Sequence, residues 1–139
     1  MVFSGLLASL SQVAKTHDTG GVEFWHEPDR SGWLYKQGDV IATWRRRWFV
    51  LKNGRLFWFM DDNVTPTSKT RGVIDLRNCL SVASAIEKTN REGSFEITCD
   101  GETKFFIAED EDVKDQWLSA IGNCIVRASF AISDDVPHY

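Results

Sequence analysis

The chain has 139 residues, and its 42% hydrophobic content is enough for the buried core of a single modest domain. Its formal charge of −4 argues against a general nucleic-acid binder. No apolar run reaches the roughly 20 residues that span a bilayer, so we expect any membrane contact to be peripheral and reversible. The three cysteines lie far apart without a CxxC or Cys/His cluster, which predicts reduced thiols and neither a metal site nor another cofactor.

The first 22 residues predict an amphipathic helix followed by a glycine hinge. Apolar side chains fall on one helical face, and Gly20-Gly21 separates this segment from the domain predicted for residues 23–130. Three roles for the apolar face stay open: packing against the domain itself, docking on a partner protein, and insertion into a membrane. The polar face carries only Lys15, whereas helices that lie on membranes usually carry several cations. The side chains predicted to contact a protein partner are Phe3, Leu6, Leu7 and Leu10.

Strand and hairpin signals dominate the middle of the chain. Alternating and aromatic-rich runs predict seven short strands, and Asn53-Gly54 and Asp100-Gly101 supply the positive φ angles that two-residue hairpin turns require. Residues 61–70 and 86–93 are rich in polar side chains and are predicted to be loops. The predicted strands cover residues 32–36, 44–52, 55–60, 72–76, 80–83, 94–99 and 102–108.

The hydrophobic period changes after the last predicted strand. Apolar side chains then recur at spacings of three and four, which predicts an amphipathic helix over residues 110–127. Four consecutive acidic residues, 109–112, fall at its start, where the helix dipole favours negative charge. We expect the apolar face of this helix to cover an opening in the sheet, with Trp117 as its largest buried side chain. Residues 131–139 are predicted to form a tail.

Basic side chains concentrate around the first predicted hairpin. Residues 30–59 hold seven cations and one carboxylate, a net charge of +6, so the remainder of the chain carries −10. A molecule polarised in this way is expected to turn its basic end toward an anionic surface and its acidic body away from it.

The alternation of side chains along the first two strands predicts where three of these cations lie. Lys36, Arg45 and Arg47 share the strand faces that carry apolar side chains farther from the connecting loop. Arg46 points to the opposite face. If the apolar ends fill the interior of a barrel, the three cations crowd one rim. Three fixed cations suit a multiply charged anion, such as a phosphorylated headgroup.

These segments resemble a pleckstrin homology domain. The runs GWLYK (32–36), TWRRRWFVL (43–51) and LFWF (56–59) are similar to the first three strands of that family, and RGVI (71–74) is similar to the fourth. Trp117 lies where the C-terminal helix of the family keeps a tryptophan. The resemblance implies a mainly β fold, a seven-stranded antiparallel bent barrel capped by an α-helix. The stretch from Glu23 to Phe59 also resembles small plant-type proteins that contain little more than one such domain.

The resemblance also implies a ligand site. The phosphoinositide motif of the family is a lysine that ends the first strand and a basic-x-arginine that opens the second, which corresponds to Lys36, Arg45 and Arg47. Arg71 corresponds to a fourth contact. Two departures favour a mono- or bisphosphate lipid over a trisphosphate. Trp58 stands where tight binders often have a tyrosine hydroxyl, and the last hairpin turn is too short to add a wall.

The sequence therefore predicts a cytoplasmic adaptor that associates peripherally with phosphoinositide-bearing membranes. Val40 and Ile41, at the tip of the first loop, either insert shallowly into a membrane or pack against a neighbouring loop. The alternative is a protein–protein interaction module in a larger assembly, for example a cytoskeletal one, with the basic rim against an acidic protein surface. An enzyme is not expected, because the three histidines lie in predicted tails or linkers and no Ser/His/Asp or Cys/His set falls on one site.

Overall fold

The seven strands predicted from the sequence form, and they pair into one antiparallel sheet. The computed structural model describes residues 19–38 and 41–134, with side chains as far as residue 130. The sheet order is β4-β3-β2-β1-β7-β6-β5, so the first and last strands of the meander are neighbours and the sheet bends around a core. The strands are β1 (Arg30–Gln37), β2 (Trp44–Lys52), β3 (Arg55–Phe59), β4 (Gly72–Asp75), β5 (Cys79–Ser84), β6 (Ser94–Cys99) and β7 (Glu102–Ile107).

Two hairpins turn where the sequence predicts. Asn53 and Gly54 adopt φ angles of 49° and 73° between β2 and β3, and Asp100 and Gly101 adopt 53° and 77° between β6 and β7. Positive φ at both central residues is the geometry of a two-residue turn whose twist matches the flanking strands. These short turns fix the register of both hairpins.

Two helical segments differ from the prediction. Residues 86–93, predicted as a loop, contain the one-turn helix α1 (Ile86–Thr89), which is stabilised by the Thr89 hydroxyl bonded to Ala85 O at 3.1 Å. A single turn is too short to produce a hydrophobic period. The C-terminal helix α2 (Glu111–Asp134) is longer than the predicted 110–127. Asp110 caps it by accepting a hydrogen bond from Val113 N at 2.8 Å, and no glycine or proline interrupts residues 123–134.

The core lies between the inner face of the bent sheet and α2. Leu34, Phe49 and Leu51 from the first hairpin pack there, as their alternation predicts, and Trp117 of α2 is fully buried among them. Burial of a side chain of this size contributes several kilocalories per mole to folding. The capping role predicted for Trp117 is therefore confirmed.

A second apolar cluster lies on the outer face of β2 and β3. Phe24 is buried there, with its ring centroid 5.5 Å from that of Phe57 and 5.2 Å from that of Phe59. Val22 joins the cluster, whereas Trp25 contacts Phe24 edge-on and keeps 38% of its surface exposed. The segment before β1 thus covers the outer face of the sheet. The helix predicted for residues 1–22 lies almost wholly outside the described residues.

Replacement of Phe24 by alanine should lower the free energy of unfolding by about 3–4 kcal/mol, because it leaves a cavity against two buried rings. Trp25→Ala is the matched control and should cost about 1 kcal/mol, since Trp25 keeps 38% of its surface exposed. Chemical denaturation measures both values. Equal losses would show that Phe24 does not anchor this segment to the sheet.

Candidate anion-binding site

The four cations predicted from the motif line one depression. Lys36 lies directly opposite Arg45 in the β1–β2 register, and Arg47 follows two residues farther along β2 on the same face. Arg71 reaches the same place because its backbone N–H donates to Trp58 O at 2.7 Å, at the start of β4. The depression has a volume of about 240 Å³. It is lined by Lys36, Gln37, Gly38, Arg45, Arg47, Trp58 and Arg71.

Trp58 forms the apolar floor of the depression. Its indole stacks on Phe49 with ring centroids 5.7 Å apart, and Lys36 Nζ lies 5.3 Å from the indole centroid in a cation–π contact. Gly72 is the register partner of Trp58 on β4, and a Cβ atom at Gly72 would lie 2.0 Å from the indole. The glycine therefore leaves the space that the indole needs to lie beneath the cations.

Three arginines of like charge crowd the rim, and none of them is paired with a carboxylate of a described residue. Desolvation lowers the pKa of the Arg47 guanidinium, and the nearby positive charges of Arg71 and Arg45 lower it further. Arg47 Nη1 donates to Arg46 O at 2.8 Å, but no carboxylate of a described residue forms an ion pair with Arg45, Arg47 or Arg71. An anion that enters the depression would relieve this repulsion and accept charge-assisted hydrogen bonds.

Lys36 differs from the three arginines because its side chain is buried at the barrel rim. Its ammonium group donates to Gln37 O at 3.2 Å, which holds the charge at the end of β1. The ammonium also lies over the Trp58 indole, so it is held at the lining of the depression by a carbonyl and an aromatic face.

Arg46 lies on the opposite face of β2, as the alternation predicts. Its guanidinium carbon is 4.1 Å from the centroid of Trp33, which packs edge-on against Trp48. Arg46 does not line the depression that holds the other cations. Arg45 and Arg47 therefore line the depression, whereas Arg46 between them packs on the opposite face of the sheet.

The loop between β1 and β2 is only partly described. Ile41 keeps 65% of its surface exposed, whereas Val40, predicted to share its role, lies outside the described residues. Gly38 N donates to Thr43 O at 2.9 Å, and a Cβ at Gly38 would lie 2.4 Å from Ile41 O. The glycine therefore allows the two ends of the loop to approach closely beside the depression.

Sequence reasoning missed the parts played by Trp58 and Gly72. Trp58 was expected only as a departure from a tyrosine position, and Gly72 only as the first residue of a strand. An isolated glycine within a strand often marks a close approach of another group, and this signal could have identified the contact.

The comparisons with known proteins identify the family. Residues 28–126 match the PH domain family, and the chain belongs to it. Pleckstrin homology domain-containing protein 1 of Arabidopsis thaliana is 48% identical over 125 residues, which cover 88% of this chain and 86% of that protein. The resemblance inferred from the first hairpin and from Trp117 is confirmed.

Solved structures agree with this assignment. The C-terminal PH domain of pleckstrin, solved in complex with D-myo-Ins(1,2,3,5,6)P5, is 27% identical, with a TM-score of 0.59 over 71% of this chain and 96% of that one. The Slm1-PH domain in complex with inositol-4-phosphate matches with a TM-score of 0.61 over 70% of this chain and 96% of that one. Because the Slm1-PH domain is only 15% identical, it supports the fold alone. In the described part of this chain, no helix is long and apolar enough to cross a membrane.

Gly72→Ala should destabilise the protein by about 1–3 kcal/mol, because the added methyl group displaces the Trp58 indole. Gly122→Ala is a control that should instead stabilise the protein. Gly122 lies in α2, a Cβ there would meet Val82 at an ordinary 3.7 Å, and alanine is the better helix former by about 1 kcal/mol. Thermal denaturation measures the stabilities, and the indole N–H resonance of Trp58 reports the displacement. An unchanged resonance in Gly72→Ala would contradict this account of the floor.

Proposed function

We propose that this PH domain binds the phosphorylated inositol headgroup of a membrane lipid in the depression lined by Lys36, Arg45, Arg47 and Arg71. The observation that carries the proposal is the convergence of four cations in one depression, of which the three arginines form no ion pair with a carboxylate of a described residue. Fixed cations beside an apolar floor favour a multiply charged, compact anion over a single carboxylate. The inositol pentakisphosphate complex of the pleckstrin domain supports this choice of ligand class.

The expected free energy of membrane binding is that of a protein that binds reversibly. A basic side chain near an anionic leaflet contributes about 1 kcal/mol, so four such side chains raise partitioning by only a few hundredfold to a thousandfold. Arginine–phosphate hydrogen bonds are about twice as strong as neutral ones and add the specificity that diffuse charge lacks. The protein would therefore reside in the cytoplasm and gather at membranes that carry the right headgroup.

Headgroups with one or two phosphates fit the depression best. Trp58 forms its floor, and an indole donates a hydrogen bond but cannot accept one from an inositol hydroxyl. The turn at Asp100-Gly101 is minimal, so the β6–β7 hairpin adds no further wall to hold a third phosphate. Ile41, which is exposed on the adjacent loop, is suited to shallow contact with the acyl–headgroup boundary. A domain with these properties acts as an adaptor that carries bound proteins to the membrane.

Sedimentation with vesicles that contain a phosphoinositide tests the proposal. Arg45→Gln and Arg47→Gln should each weaken binding tenfold or more, because each removes charge-assisted hydrogen bonds worth about 1.5–3 kcal/mol. Arg46→Gln removes the same formal charge from the opposite face and should change binding by less than threefold. Circular dichroism confirms that the variants remain folded.

Competition with soluble headgroups distinguishes binding at a headgroup site from attraction by diffuse charge. An inositol bisphosphate should release the wild-type protein from the vesicles. Equal losses of vesicle binding in all three variants, together with no competition, would mean that the protein binds the membrane only through diffuse charge. Binding to phosphoinositide-free acidic vesicles with the same affinity would also refute a headgroup site.

A further inference from the structure

A larger groove runs along the edge of β1 that faces β7, and it extends over the outer face of the first hairpin, where Arg46 and Trp48 of β2 also line it. Strand β1 pairs with β2 through all eight of its residues, but it pairs with β7 only at Tyr35 and Lys36. Ile107 is the last residue of β7, so residues 30–34 of β1 extend beyond the end of that strand. The space beside them has a volume of about 800 Å³.

The groove follows the edge of the strand. Its first wall consists of the consecutive residues 30–33, which alternate between the two faces of β1, so only the edge itself can present all of them to one space. Ile107, Ala108 and Glu109 form the second wall, and Trp117 lies at the base.

The main chain along this edge lacks a partner strand. Alternate residues of a strand direct their N–H and C=O groups to opposite sides, so half of those in residues 30–33 point away from β2. Within the described residues, no backbone hydrogen bond joins residues 30–33 to a segment other than β2. An open edge of this kind is a template for the addition of an extended chain.

Arg30 lines the same groove and forms no ion pair with a carboxylate of a described residue. Its guanidinium carbon lies 5.1 Å from the centroid of Trp117, and its Nε atom is buried without a hydrogen-bond partner. Desolvation lowers its pKa. Glu92 and Glu109 also line the groove, yet neither forms an ion pair with Arg30. A carboxylate from a ligand would supply the missing partner.

We propose that this groove binds an extended, acidic peptide segment of a partner protein, which pairs with the free edge of β1 and places a carboxylate on Arg30. Main-chain pairing provides sequence-independent affinity, and the carboxylate provides selectivity. Trp33 and Trp48, which line the outer lip, offer an aromatic surface to a neighbouring side chain of the peptide.

Thr19, the first described residue, lies on the other side of the sheet from Arg30. It accepts a hydrogen bond from Arg55 Nη1 at 3.2 Å, and Arg55 lies on the outer face of β3, whereas Arg30 points to the inner face of β1. The unpaired edge of β1 and the cation of Arg30 together favour an extended acidic segment of a second molecule as the occupant. The groove and the cationic depression share no described lining residue, so both can be occupied at once.

Parallel selection from a phage-displayed library of random twelve-residue peptides tests the proposal. Wild-type protein should enrich peptides that carry an aspartate or glutamate within a β-branched or aromatic run. Arg30→Gln should not enrich them. Arg127→Gln is the matched control, because Arg127 is exposed ten residues beyond Trp117 on α2 and loses the same charge outside the groove. Enrichment of the same peptides by Arg30→Gln, or no enrichment by the wild type, would overturn the proposal.

The strongest enriched peptide is then synthesised and titrated into labelled protein by amide NMR. We expect shifts at Ser31 and Trp33, and a tenfold or greater loss of affinity when the peptide carries glutamine for its acid or N-methyl groups on alternate backbone nitrogens. Arg30→Lys keeps the charge but not the planar fork and should retain intermediate affinity. It also serves as the test variant if Arg30→Gln fails to fold. Shifts centred on Lys36 and Arg45, or equal affinity for the methylated peptide, would contradict strand addition at β1.

Discussion

The antiparallel register between β1 and β2 is the constraint on which the rest of the structure depends. It places Leu34 opposite Arg47 and Lys36 opposite Arg45. Because side chains alternate with a period of two, a slip by one residue would expose Phe49 and drive Arg46 into the core. The same pairing that buries the apolar half of the hairpin thus fixes the cations at its rim. A change of this register would therefore alter both the core and the candidate site.

At the candidate site, repulsion between cations is unfavourable, and a rigidly packed aromatic side chain supports them. Arg47 is partly desolvated beside two like charges, and no described carboxylate compensates the three arginines. The support comes from Trp58, which stacks on fully buried Phe49 and lies against Gly72. Groups that are already arranged lose little conformational entropy on binding, so an anion that entered the depression would relieve the repulsion at little entropic cost. The core supplies the stability that this arrangement requires.

The sequence predicts the parts of the fold that depend on interactions between residues close together along the chain. Strand alternation, the Asn53-Gly54 turn and the 3.6-residue period of α2 predict the meander, the capping helix and the placement of Arg45 and Arg47. Contacts between distant segments leave no comparable trace, so the packing of Trp58 over Gly72 and the position of the end of β7 opposite Tyr35 emerge only in three dimensions. The one-turn helix α1 was not predicted for a different reason, since it is stabilised by hydrogen bonds of the Thr89 side chain to Ala85 O and Ser94 Oγ rather than by an apolar period.

The most direct test of the account is a side-chain NMR titration of the protein with a soluble inositol bisphosphate, in which the guanidinium N–H resonance of each arginine is followed. We expect the resonances of Arg45, Arg47 and Arg71 to shift and saturate together, while that of Arg46 stays in place. Saturation at one stoichiometric equivalent would establish a defined headgroup site. Equal, non-saturating shifts at Arg46 and at the three site arginines would show that the depression is only part of a diffuse basic surface.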